Sequence, residues 1–90
     1  MKRVHLIISG DVQGVGFRAW MCNQARALDL TGWVKNRKDG AVEAVGEGEN
    51  ARLVKFINLA RKGPDVAWIE DISVKWEKAT GQFAGFAISF

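Results

Sequence analysis

A hairpin signal lies near the middle of this 90-residue chain and restricts how the other segments can be arranged. Two strand-like segments, 31–36 and 41–45, flank Arg37-Lys38-Asp39-Gly40, and an Asp-Gly pair in that position is typical of a tight turn. A short turn joins neighbouring strands that run antiparallel, whereas parallel strands need a long crossover connection. The fold is therefore expected to contain antiparallel strand pairing at its centre.

The remaining periodic segments complete a β-α-β-β-α-β order with a short strand at the end. Apolar residues at strand or helix spacing predict strands 3–9, 66–76 and 85–90 and a first helix over 17–28. A second helix is predicted between Asn50, its expected N-cap, and Gly63-Pro64, its expected stop. This order is typical of the ferredoxin-like α+β sandwich. We expect one domain over 1–90, with two helices on one face of a four- or five-stranded antiparallel sheet.

A glycine-spaced turn connects the first strand to the first helix and carries the clearest chemical signal in the chain. Gly14 and Gly16 can adopt positive φ angles without a steric penalty, so successive backbone N–H groups can point toward one anion. Arg18 follows in the first turn of the predicted helix, whose N-terminus attracts negative charge. Its planar guanidinium can donate to two oxygens of a phosphate or carboxylate at once. The turn therefore predicts a binding site for a small phosphorylated ligand.

Two widespread phosphate-binding motifs do not explain this turn. Residues 14–19 satisfy the G-x-G-x-x-G/A dinucleotide pattern, but that fold needs a parallel sheet of repeated βαβ units. The central hairpin and the length of 90 residues leave no room for such a sheet. A Walker A loop needs Gly-Lys-Ser/Thr at the end of the glycine turn, and this chain has Gly16-Phe17-Arg18 instead.

The remaining inventory of catalytic side chains is small. His5 is the only histidine and lies within the first predicted strand, so neither a histidine-based triad nor a multi-histidine metal site is expected. Asn36 ends the second predicted strand, where its amide can either form the turn or bind a water molecule. No acidic residues form a spaced pair suited to acid–base catalysis, and we expect most of them to be turn and surface charges. Six of the ten acidic residues lie within residues 11–49, around the turn and the hairpin: Asp11, Asp29, Asp39, Glu43, Glu47 and Glu49.

Composition and charge favour an ordinary globular protein without a membrane or nucleic-acid partner. Hydrophobic residues make up 48% and charged residues 26% of the chain, and no apolar run approaches the ~18 residues of a membrane span. The chain starts with Met1-Lys2-Arg3 and shows no signal-peptide pattern, and its single cysteine, Cys22, cannot form an internal disulfide. The net charge of +3, densest at Lys35, Arg37 and Lys38, suits anionic ligands. We expect a cytoplasmic monomer.

Two signatures in this chain resemble those of the acylphosphatase family. The first is Gly10-x-Val12-Gln13-Gly14-Val15-Gly16-Phe17-Arg18, and the second is Gly32-Trp33-Val34-Lys35-Asn36-x-x-Asp39-Gly40-x-Val42-Glu43-Ala44. Their order and spacing resemble the family pattern over essentially the whole chain. The resemblance implies hydrolysis of the carboxyl–phosphate bond in small acyl phosphates, without a metal or an organic cofactor.

The resemblance also implies roles for particular residues. Arg18 would bind the phosphoryl group together with backbone N–H groups of the loop before it, and Asn36 would position the attacking water. A phosphate oxygen of the substrate would accept the proton of that water, so no protein base is required. Asp29 stands where relatives often have glycine, but it lies outside the site. The implied phosphate-binding loop consists of Gln13, Gly14, Val15, Gly16, Phe17 and Arg18.

Three other functions remain open from the sequence. Residues 81–90 loosely imitate the aromatic strand of a ferredoxin-like RNA-binding module, although such modules carry that motif on an internal strand. A non-catalytic, phosphate-binding version of the fold would keep the same residues. The acylphosphatase-like domain of a hydrogenase-maturation carbamoyltransferase would be joined to zinc-binding and transferase regions, which we do not expect with one cysteine. The residues point to a phosphate site but do not identify the acyl group.

Overall fold

Seven elements of secondary structure follow one another in the computed structural model, which describes every residue from Met1 to Phe90. The first six occur in the predicted β-α-β-β-α-β order, and a short strand follows them. The elements are β1 (Lys2–Asp11), α1 (Phe17–Ala27), β2 (Thr31–Asn36), β3 (Val42–Gly48), α2 (Asn50–Lys62), β4 (Trp68–Lys78) and β5 (Phe86–Ile88).

A single sheet holds the five strands in the order β4-β1-β3-β2-β5. β1 pairs antiparallel with β3 and β4, and β2 pairs antiparallel with β3. β5 pairs with β2 in the parallel direction, so the sheet differs at this edge from the antiparallel sheet that the sequence predicts. The reason is topological: β4 ends at the side of the sheet where β2 begins, and the segment 79–85 crosses to the opposite edge before β5 starts.

Both helices contribute to one hydrophobic core on a face of the sheet. Alternate residues of β1, namely Val4, Leu6 and Ile8, are completely buried in this core, and the residues between them are only partly buried. Phe17 from α1 and Phe56 from α2 are buried with them. Burial of one such ring stabilises the fold by about 1.5–3 kcal/mol. The architecture is the ferredoxin-like α+β sandwich expected from the order of the elements.

The helix ends differ slightly from those that the sequence predicts. Gly63, with φ of 66°, follows α2 as its C-cap, as expected. The prediction of Asn50 as N-cap is wrong, because the extended backbone of Glu49 takes that position and Asn50 is the first helical residue. α1 begins at Phe17, as expected. With 11 and 13 residues, neither helix has the length and apolar character of a membrane span.

Glu47 in β3 is a buried carboxylate and so departs from the surface role expected for most acidic residues. It accepts hydrogen bonds from the backbone N–H groups of Thr80 (2.8 Å) and Gly81 (2.9 Å) and from Arg3 Nε (2.8 Å). Burial alone would raise the pKa of Glu47, but these donors outweigh burial and lower the pKa to about 2. Glu47 therefore fixes the segment 79–85 that leads to β5.

Candidate active site

The glycine turn lies between β1 and α1, and the core holds it at both ends through the buried side chains of Val12 and Phe17. Gly14 and Gly16 both have φ of 77°, in the left-handed region that favours glycine. A Cβ at either position would meet no atom within 4 Å, so backbone conformation and not crowding requires glycine there. Gly16 is also the N-cap of α1, so the turn leads directly to the free N–H groups of the first helical turn.

Arg18 lies in that first turn and is half-buried. Its guanidinium takes part in no ion pair, and the first turn of α1 contains no acidic residue. The guanidinium carbon lies 5.2 Å from the centroid of the Phe90 ring, within the range of a cation–π interaction. No protein carboxylate neutralises Arg18, so its charge is available to an anionic ligand.

Asn36 is the last residue of β2, where it pairs with Val42 of β3. Its Oδ1 atom is buried and has no hydrogen-bond donor, and it is the one buried side-chain polar atom of the chain in that condition. An unsatisfied buried acceptor costs about 1–3 kcal/mol. A buried acceptor without a protein donor marks Asn36 as a residue to test for a functional role.

A cavity of about 150 Å³ brings the glycine turn, Arg18 and Asn36 together. Of the residues singled out from the sequence, Gly14, Gly16, Phe17, Arg18 and Asn36 line it, and Gln13 and Val15 do not. Four other residues line the cavity that the sequence did not single out as site residues. Two of them lie at the end of the chain, in β5 or just after it. The four are Val12, Ala19, Ile88 and Phe90.

The side chain of Gln13 contacts the hairpin and does not line the cavity. Its Nε2 donates to the carbonyl oxygens of Arg37 (2.8 Å) and Ala41 (2.9 Å), and so ties the glycine turn to the loop that follows Asn36.

Asp39 supports the same loop, as its position before Gly40 predicts. A hydrogen bond from the Ala41 N–H, aided by Arg37, lowers the pKa of the Asp39 carboxyl.

The basic cluster of the hairpin is largely paired. Arg37 lies within ion-pair distance of Asp39 (3.1 Å) and Glu43 (3.8 Å), and Lys35 lies 3.9 Å from Glu43. Lys38 forms no ion pair. These side chains line an open cleft that shares Asn36 and Phe90 with the smaller cavity. The cluster therefore adds a weak positive field next to the site.

A larger cleft of about 460 Å³ elsewhere on the surface is chemically unsuited to a phosphorylated ligand. Its lining includes the carboxylates of Asp11, Asp39 and Glu70 beside the exposed Trp68. Three carboxylates repel an anion, whereas the smaller cavity contains an arginine and no acidic side chain. The smaller cavity is therefore the better candidate for a phosphorylated ligand, although it has less volume. His5 contacts Glu43 through Nε2 and lines neither space.

The chain is a small α+β protein with a ferredoxin-like fold, in which a helix N-terminus and an arginine without an ion-pair partner border one cavity, a candidate site for an anion. The acylphosphatase family model matches residues 4–88 of the chain, which therefore belongs to the acylphosphatase family of hydrolases. The acylphosphatase of Roseiflexus sp. (strain RS-1) is 49% identical over 88 residues, which cover 98% of this chain and 95% of that protein.

Solved structures agree with this assignment. The crystal structure of acylphosphatase from Bacillus subtilis superimposes with a TM-score of 0.96 and 37% sequence identity, and each chain is covered completely. The structure of HypF from T. kodakarensis matches with a TM-score of 0.84 and 36% identity. That match covers 99% of this chain but 12% of HypF, so the similarity concerns a small part of the larger protein.

Proposed function

We propose that this chain hydrolyses the carboxyl–phosphate bond of small acyl phosphates and releases a carboxylate and inorganic phosphate. One observation carries the proposal: the amide of Asn36 lines the same cavity as Arg18 and the glycine turn. A protein that only binds phosphate needs the turn and the arginine. Hydrolysis also needs a group that holds water, and Asn36 is that group.

Arg18 and the backbone N–H groups of residues 13–18 bind the phosphoryl oxygens. The guanidinium donates through its planar edge, and the N–H groups at the start of α1 add the positive end of the helix dipole. Such donors stabilise the transition state because negative charge on the transferring phosphoryl group is held by dipoles that are already oriented. Loss of one such donor typically reduces kcat by roughly 10²–10³.

The side-chain amide of Asn36, which lines the cavity, holds a water molecule so that a lone pair of the water oxygen points at phosphorus. The water oxygen forms a bond to phosphorus while the bond from phosphorus to the acyl oxygen breaks, and the carboxylate leaves with that electron pair. The water proton passes to a phosphate oxygen. No histidine, aspartate or glutamate side chain lines the cavity, so the protein side chains there bind and orient but do not accept the proton.

We also infer a monomeric enzyme that needs neither a metal nor an organic cofactor. The side chains that line the cavity include one arginine and one asparagine but none of the histidine, cysteine or carboxylate side chains that commonly bind metals. Size-exclusion chromatography with light scattering tests the monomer, and activity after dialysis against EDTA tests independence from metals. The cytoplasmic location stays a prediction from the sequence.

The test of the proposed function is hydrolysis of benzoyl phosphate by the wild-type protein and by Arg18→Ala. We expect rapid hydrolysis by the wild type and a loss of roughly 10²-fold or more in kcat/KM in the variant, with weaker inhibition by inorganic phosphate. The control is Arg61→Ala, which removes an exposed arginine of α2 away from the cavity and should leave both values unchanged. Phosphate binding without hydrolysis by the folded wild type would contradict the proposal.

A further inference from the structure

The glycine turn and the hairpin of β2 and β3 approach the cavity without a strand ladder between them. β1 and β3 pair only as far as Ile8 and Val42. Beyond that point β1 continues beside β4 as far as Asp11, and the turn then begins. The ladder therefore does not fix the distance between the turn, which leads to Arg18, and the end of β2, which carries Asn36.

The side chain of Gln13 supplies a link at this place. Its Nε2 atom carries two hydrogens, and it donates them to two acceptors, the carbonyl oxygens of Arg37 (2.8 Å) and Ala41 (2.9 Å). These contacts join residues 24 and 28 positions apart in the sequence. They are the only hydrogen bonds between residues 12–18 and residues 36–42. One half-buried amide thus holds the two segments together.

The two acceptors belong to the closed end of the hairpin, directly after Asn36. The N–H of Arg37 donates to the carbonyl oxygen of Ala41 (2.8 Å), and the N–H of Gly40 donates to the carbonyl oxygen of Arg37 (3.3 Å). These bonds lie within the hairpin and close it without help from the turn. The bonds from Gln13 therefore add something else, which is the position of the closed hairpin relative to the turn.

This relative position matters for the reaction. The step rests on the proposed function, in which the turn and Arg18 bind the phosphoryl group and Asn36 holds the attacking water. Efficient attack needs the reacting atoms about 3–3.5 Å apart and aligned, and a displacement of about 1 Å caused away from the chemistry can reduce the rate by about 10². The distance between the turn and the hairpin therefore controls the geometry of attack.

We propose that Gln13 is a positioning residue, whose side chain holds the water-binding amide of Asn36 at the correct distance from the phosphoryl group in the glycine turn. The Gln13 side chain does not line the cavity, so it acts through its two bonds to the hairpin. Its loss should lower kcat and leave phosphate affinity nearly unchanged, because the turn and Arg18 bind phosphate without the hairpin.

The experiment compares benzoyl phosphate hydrolysis by the wild type, Gln13→Met and Gln13→Asn at a temperature where urea unfolding shows each protein to be folded. Methionine has nearly the length of glutamine but no donor, and asparagine keeps the amide one carbon shorter. In Gln13→Met we expect kcat to fall by roughly ten- to a hundredfold, with less than about a threefold change in the inhibition constant of inorganic phosphate. Gln13→Asn should lose less kcat, and it replaces Gln13→Met in every comparison if the latter does not fold.

A combination with Asn36→Ala tests whether Gln13 acts through Asn36. Once the Asn36 amide is absent, its distance from the phosphoryl group no longer affects the reaction. Gln13→Met should therefore lower the kcat of the Asn36→Ala protein by less than about twofold, whereas independent effects of the two substitutions would multiply. Multiplied losses would overturn the proposal, because Gln13 would then act without Asn36.

Gln24→Met is the matched control. Gln24 is also a half-buried glutamine, but it lies on α1 and does not line the cavity. Its substitution should leave kcat and phosphate inhibition at their wild-type values. A wild-type kcat in folded Gln13→Met would overturn the positioning role and leave a purely structural one. Absence of hydrolysis by the folded wild type would instead overturn the proposed function.

Discussion

Replacement of Asn36 by alanine should separate catalysis from stability, because the wild-type amide holds a buried acceptor that folding leaves unpaired. Removal of this acceptor relieves about 1–3 kcal/mol, and loss of the packing of the amide offsets part of that gain. We expect the free energy of unfolding of Asn36→Ala to be unchanged or up to about 2 kcal/mol higher. A chain of this size gains about 4–8 °C in Tm for each kcal/mol.

The same substitution should lower kcat. Without the Asn36 amide no side chain in the proposed mechanism holds the attacking water in line, and the loss of one well-placed hydrogen-bonding group in a transition state typically reduces kcat by about 10²–10³. Phosphate affinity should change little, because Arg18 and the glycine turn remain. The assays are benzoyl phosphate kinetics, competitive inhibition by inorganic phosphate, and equilibrium unfolding in urea.

Asn58→Ala is the control for this experiment, because Asn58 is an exposed asparagine on α2 away from the cavity. It should leave kcat and phosphate inhibition at their wild-type values. Our reasoning would be refuted if Asn36→Ala lost more than about 1 kcal/mol of stability, since Oδ1 would then have a stabilising partner. A wild-type kcat in Asn36→Ala would refute its role in positioning water.

Two further substitutions test the supports of the site. Gln13→Ala removes two hydrogen bonds to the hairpin. Urea unfolding should show a loss of about 1–2 kcal/mol of stability. A tenfold change in the inhibition constant of phosphate would show instead that the Gln13 side chain binds the ligand. The pKa of Glu47 is lowered from 4.5 to about 2 in the folded protein. Its ionised form therefore stabilises the fold by about 3 kcal/mol above pH 4.5, and this stabilisation is lost as the pH falls toward 2. Urea unfolding across this pH range should therefore show a weaker acid dependence in Glu47→Gln, and an unchanged dependence would contradict the lowered pKa.

The parts of the fold that the sequence predicts well depend on local physics. The glycine turn is an example, since Gly14 and Gly16 are needed for their own positive φ angles, whatever lies around them. The hairpin of β2 and β3 is a second example, because the alternation of side chains and the Asp39-Gly40 turn that define it lie close together in the sequence. The positions of Arg18 and Asn36 beside one cavity then follow from the order of the elements.

The parts that the sequence does not predict depend on contacts between distant residues. Glu47 and Thr80 are 33 positions apart, and nothing local to Glu47 distinguishes it from a surface acid. Alternation in the last strand indicates which side chains share a face, but not which strand becomes its neighbour or in which direction it runs. The parallel pairing of β5 with β2, and with it the place of Ile88 and Phe90, could therefore not be derived from the pattern.

Two features that packing of the core does not require meet at the same small cavity. The turn contains two left-handed glycines, and Asn36 carries an unpaired buried oxygen. No atom lies close enough to Gly14 or Gly16 to demand glycine there, and no protein donor reaches the Asn36 oxygen. The proposed function accounts for both features, with a phosphoryl group bound in the turn and a water molecule held by the amide. The proposed hydrolysis therefore depends on these two features, and the rest of the fold positions them.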